Sequence, residues 1–200
     1  MQRSLVGSEM CIRDRYTILL LFAVCGAVPT DLCYNHSRIK TNQEMDIVTV
    51  DRQKVLDAFA AYIRPYDAQD PKVSLKIHHT YRVAALCEQI GRSIALEGTA
   101  LDLAWLCGML HDVGRFEQLR RFGTFDDSKS IDHARAGVQV LFEQGHIRDY
   151  LDDDSEDAML RTAVEWHSAY RLPDGLDERT VMYCNILRDA DTVSYTHLRA

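Results

Sequence analysis

The chain has no C-x-x-C pair among its six cysteines. That removes a zinc knuckle and, with these spacings, a disulfide framework. It has no apolar run long enough to cross a membrane: TILLLFAVCGAV (17–28) falls short of the roughly 20 residues a span needs. It has no excess of basic charge, with 23 Lys and Arg against 30 Asp and Glu and a net charge of −7. A general nucleic-acid or anionic-membrane binder would carry a basic face, so neither class is expected. A small phosphorylated substrate stays open, because a metal ion reverses the local sign. No stretch alternates like a strand and no segment repeats. The acidic DYLDDDSED (149–157) lacks the glycine-centred spacing of a calcium loop and reads as solvated surface.

What is present is helical. The 200 residues, 46% hydrophobic and 26% charged, suffice for one domain with a sizeable core. Helical periods predict an all-α single domain over 45–191. Its helices are expected near 51–64, 74–96, 100–113, 133–144, 155–169 and 177–191, with a loop over 115–130. Val55, Leu56, Phe59, Tyr62 and Ile63 form one stripe, and Leu75, Val83, Leu86 and Ile90 another. Residues 100–113 are apolar almost all round, which marks a central helix ending at Gly114. Asp132 and Asp177 are expected helix caps. Cys87, Cys107 and Cys184 fall in apolar patterns and fit a reducing compartment, which is cytoplasmic.

The ends differ from this body. Residues 1–44 show no usable period. The run at 17–28, with Arg13 and Arg15 before it, resembles the h-region of a signal peptide. SLVGSEMCIRDR (4–15) and VSYTHLRA (193–200) resemble translated sequencing adapter. The expectation is a non-domain leader over 1–44, a natural start at Met45, an artefact-like tail over 192–200, and natural C-terminal helices truncated after Asp191.

Polar groups stand on apolar faces. His79 lies four residues from both Leu75 and Val83, and His111 one turn past Cys107 with Asp112 next to it. His133 shares a face with Gly137, Val140 and Leu141. His167 follows Leu160 and Ala163, and Asp191 follows Cys184 and Leu187, at helical spacing. Taken singly, each ring reads as a core histidine bonded to a backbone carbonyl. Burying six such groups together is tolerable only if they satisfy one another or share a cation. Imidazole and carboxylate are ligands that first-row divalent metals accept. Four histidines and two carboxylates would supply two ions, with one carboxylate bridging.

HHTYRV (78–83), LHDVG (110–114) and ILRDAD (186–191), with DHARAG (132–137) and AVEWHS (163–168) between, resemble the motifs of the HD superfamily of metal-dependent phosphohydrolases. The resemblance implies His79, His111, Asp112, His133, His167 and Asp191 as metal ligands. It implies one or two divalent ions (Mn, Fe, Co, Mg or Zn) and hydrolysis of a phosphorylated small molecule or nucleotide by a metal-activated water. Asp112 and Arg115 would be catalytic, Asp112 bridging the ions and Arg115 offsetting charge on phosphoryl oxygens. Relatives often carry lysine where this chain has Arg115, and the cyclic-di-GMP GYP motif is missing, the corresponding stretch being RLPDGLD (171–177). A di-iron oxygenase and a non-catalytic metal- or nucleotide-binding regulator are the alternatives. His36, His146 and His197 are expected to be exposed and without function.

Overall fold

A computed structural model describes residues 48–196. The expectations for residues 1–44, and for His36 and His197, lie outside the described residues. Among the described residues all regular structure is helical, with no strand and no helix long and apolar enough to cross a membrane.

The helices are α1 (Arg52–Ile63), α2 (Pro71–Ser93), α3 (Gly98–Leu110), α4 (Val113–Phe122), α5 (His133–Val138), α6 (Ile147–Tyr150), α7 (Asp157–Trp166) and α8 (Glu178–Thr196). A 3-10 turn at Asp127–Lys129 precedes α5, and a π-helical segment at Gln139–Glu143 extends it. Side-chain caps start four helices where the backbone N–H groups would otherwise be unpaired. Asp51 accepts from the Gln53 and Lys54 amides, Asp70 from Lys72, Asp132 from Ala134 and Arg135, and Asp177 from Thr180. Pro71 sits in the first turn of α2, where its missing donor is harmless.

α3 is the central helix: Leu101 and every residue from Leu103 to Leu110 are buried. It lies against α2 at very close range. A Cβ on Gly108 would stand 2.5 Å from the Ala84 Cα, so the bare glycine permits this approach. Phe59, Tyr62, Tyr66 and Phe116 make edge-on and tilted ring contacts that tie α1 to α4.

Three expectations fail. The segment at 115–130 is not one loop, because α4 occupies Val113–Phe122 and closes on Gly123 in the left-handed region (φ 67°). Gly114 therefore does not stop a helix; it lies inside α4, where a Cβ would be 2.1 Å from the His133 carbonyl oxygen. Leu75 is exposed, and the buried face of α2 runs through Val73, Lys76, His79, Thr80, Val83, Ala84 and Cys87. Residues 192–196, part of the expected artefact-like tail, continue α8, and Ser194 is buried.

Candidate metal centre

The corner between α3 and α4 carries His111 and Asp112, both buried. The other groups arrive from separate elements. His79 comes from the middle of α2, His133 from the first residue of α5, His167 from the residue that ends α7, and Asp191 from α8. All six sequence-predicted residues meet around the Asp112 carboxylate.

That carboxylate divides the rings two and two. Its Oδ2 lies 3.4 Å from Nε2 of His79 and 3.4 Å from Nε2 of His111. Its Oδ1 lies 3.8 Å from Nε2 of His133 and 3.8 Å from Nε2 of His167. Asp191 joins the first group, with Oδ1 3.0 Å from His79 Nε2 and 3.9 Å from His111 Nε2. Two triads, His79–His111–Asp112 and Asp112–His133–His167, each have ligand atoms close enough to hold one ion.

The rings are oriented through their other nitrogens. His111 Nδ1 donates to the Gly108 carbonyl at 2.7 Å, and His167 Nδ1 to that of Val164 at 2.7 Å. His133 Nδ1 faces Asp127 Oδ2 at 2.5 Å, and His79 Nδ1 faces the Ser194 hydroxyl at 3.1 Å. A carbonyl or carboxylate acceptor puts the proton on Nδ1 and leaves Nε2 a bare lone pair. In this state His133 and His167 face each other with two bare nitrogens 3.0 Å apart. Burial holds both rings below the ordinary imidazole range, His167 at about 4, so neither supplies a second proton near neutrality.

Facing lone pairs without a proton repel, and a cation removes the conflict. Two imidazoles on one ion, each at about 2.1 Å, sit about 3.0–3.4 Å apart. The spacing here is 3.0 Å for His133–His167 and 3.3 Å for His111–His79. Asp191 Oδ1 is buried with no hydrogen-bond partner among the described residues, although it points into the first triad. The donor set therefore fits two divalent ions with Asp112 between them.

Two cations flank Asp112. Lys76 Nζ donates to Oδ2 at 2.6 Å, and Arg115 Nε lies 3.6 Å from Oδ1. Burial opposes charge on Asp112, but His111 and Lys76 outweigh it and hold the carboxyl well below the usual carboxylate range. For His111 burial also opposes the charge, and the Asp112 carboxylate wins, so its pKa is raised. Arg115 Nη1 is tied to Gln118 Oε1, the Phe125 carbonyl and Asp127 Oδ1 at 2.7–2.8 Å. The Phe125 ring lies beside both cations, 5.5 Å from Lys76 Nζ and 5.9 Å from the Arg115 guanidinium carbon.

Lys76 and Asp127 are absent from the sequence-predicted set. Lys76 could have been found at helical spacing from Val73, Thr80 and Val83, a lysine inside an apolar stripe. Asp127 carries no such signal. His78 turns back onto the Ser74 carbonyl in its own helix, and His146 is exposed and pairs with Asp149.

The family model described as HD domain matches residues 77–196, more than half of the chain and a span that includes His79, His111, Asp112, His133, His167 and Asp191. None of the curated proteins and none of the solved structures matches it.

Proposed function

The chain belongs to the HD domain family, and from that premise we propose that it is a metal-dependent phosphohydrolase acting on a phosphorylated small molecule or nucleotide. The observation that carries this reading is the two-and-two division of four imidazoles over the oxygens of one buried carboxylate. His79, His111 and Asp191 would hold one divalent ion with Asp112 Oδ2, and His133 and His167 a second with Oδ1. Manganese, iron, cobalt, magnesium and zinc all accept this nitrogen and oxygen set. Bound there, such ions supply Lewis acidity and lower the pKa of water toward neutrality.

The chain's own groups do the rest. Asp112 keeps its charge in a buried place because Lys76 and the rings outweigh desolvation. Asp191 faces the first ion's place with a buried oxygen, Oδ1, that lies 3.0 Å from His79 Nε2. Lys76 and Arg115 put two fixed positive charges on the same carboxylate, where phosphoryl oxygens carrying negative charge would be stabilised. Those two cations favour an anionic substrate. Cys87, Cys107 and Cys184 are free and buried, which supports a reducing, cytoplasmic setting.

The test is a chelated protein reloaded singly with each of the five metals and offered nucleotides and sugar phosphates. Phosphate release that appears with metal and vanishes with chelator is expected. Metal binding without turnover of any phosphoester would leave a regulator, and oxygen uptake by the iron form would replace hydrolysis with oxygenation.

A further inference from the structure

Three of the four rings around Asp112 have their tautomer imposed by an evident acceptor, but not in the same way. His111 and His167 each end a helix, and each donates from Nδ1 to the carbonyl three residues back in its own last turn. His133 is the first residue of α5. No helical turn precedes it, so no carbonyl of its own helix is available to its ring. The acceptor comes from outside: Asp127, on the 3-10 turn before α5, places Oδ2 2.5 Å from His133 Nδ1.

The other oxygen of Asp127 is also engaged. Oδ1 accepts from Arg115 Nη1 at 2.7 Å and from Gln118 Nε2 at 2.8 Å. Gln118 is fully buried, and its Nε2 also lies within bonding distance of Ser130 Oγ and the Ile131 carbonyl. The turn is held from its start by Asp126, whose Oδ1 accepts from the Ser128 amide at 3.0 Å. One carboxylate thus spans a candidate metal histidine and the arginine beside Asp112.

We propose that Asp127 is a positioning residue that fixes His133 as the Nδ1–H tautomer, with Nε2 free for a cation, and anchors Arg115 with its second oxygen. The metal half of this rests on the phosphohydrolase reading; the tautomer half does not. Carboxylates behind metal-bound histidines raise ligand basicity and orient the ring, and their loss typically costs about 10–100-fold in metal affinity.

The geometry makes Asp127→Asn a sharp test. Oδ1 faces two donors, Arg115 and Gln118, so the amide oxygen stays there and the NH₂ group turns to His133. An NH₂ group donates, so His133 Nδ1 must accept and the ring proton moves to Nε2. Arg115 keeps its anchor. The change is a reversal of one tautomer in an otherwise retained network.

The experiment is nitrogen-15 NMR of the histidine rings in metal-free protein, with manganese titrations of the same samples. In the wild type His133 should show a protonated Nδ1 and a bare Nε2, and in Asp127→Asn the reverse. One of two manganese sites should weaken by about 10–100-fold in the variant while the other is unchanged. A wild-type His133 protonated at Nε2 would overturn the proposal. So would an Asp127→Asn variant that keeps both the tautomer and both affinities. If the variant does not fold, the wild-type spectrum decides alone. If the wild type binds none of the five metals, the phosphohydrolase reading falls, and the ring spectra still decide on Asp127.

Discussion

Replacing Gly114 with alanine should damage one half of the proposed metal centre and spare the other. The new Cβ would stand 2.1 Å from the His133 carbonyl oxygen and 2.4 Å from the Gly137 amide nitrogen. Carbon–oxygen contact begins near about 3.3 Å, so α4 and α5 must part by about 1 Å. Both obstacles are backbone, so no rotamer change relieves them. Gly114 has no positive φ, and alanine would gain up to about 1 kcal/mol in helix propensity. Overpacking of this kind costs about 1–3 kcal/mol or more, and with rigid obstacles the upper end applies. The net loss is about 2 kcal/mol, or about 4–8 °C in a domain of this size. The parting falls between Asp112 and His133, whose Oδ1 and Nε2 are 3.8 Å apart. His79 and His111 hang on α2 and α3 and do not move with it. Thermal unfolding after chelation, with manganese titration, reads both effects. A variant that melts at or above the wild type and fills two sites of unchanged affinity would refute the reasoning.

His111→Ala and Asp112→Ala should each lower metal content and abolish phosphate release, and elemental analysis with an activity assay checks this. Asp112→Ala should also destabilise by about 3–5 kcal/mol, because it removes one partner of the buried Lys76–Asp112 ion pair. Arg115→Ala should lower turnover while the metals stay bound, since Arg115 approaches Asp112 without being a ligand; metal loss in parallel with activity would contradict that. In metal-free protein His167 titrates near 4 through burial and the nearby His111, below its ordinary 6.5. Between these values the unfolded chain binds the extra proton, so stability is present above about pH 6.5 and falls toward pH 4. His167→Gln should flatten that slope in chelated denaturant titrations, and an equal slope would remove His167 as its cause.

The six histidine and aspartate positions were legible because ligand-type side chains on apolar faces are costly unless satisfied together. Lys76 was not, because Leu75 looked like the face residue; an exposed Leu75 and a buried Lys76 rotate the stripe of α2 by one position. α4 was hidden by Gly114. A glycine after an apolar run normally ends a helix, whereas here it lets two helices touch, and only the packed partner reveals that. Asp127 lies among aspartates and serines whose local turn chemistry explains them fully. Its reach to His133 depends on how the turn docks, which no period encodes.

Asp191 completes its half of the centre from the last helix described, and this sets an order along the chain. From Asp112 to His167 is 55 residues and from His79 to Asp191 is 112. Doubling a loop adds only about 0.6 kcal/mol of closure entropy, so at equilibrium neither half is much harder to close. Synthesis imposes the difference instead. Asp112, His133 and His167 are all present while Asp191 is still to be translated, so in a growing chain both triads are complete before Asp191 joins the first.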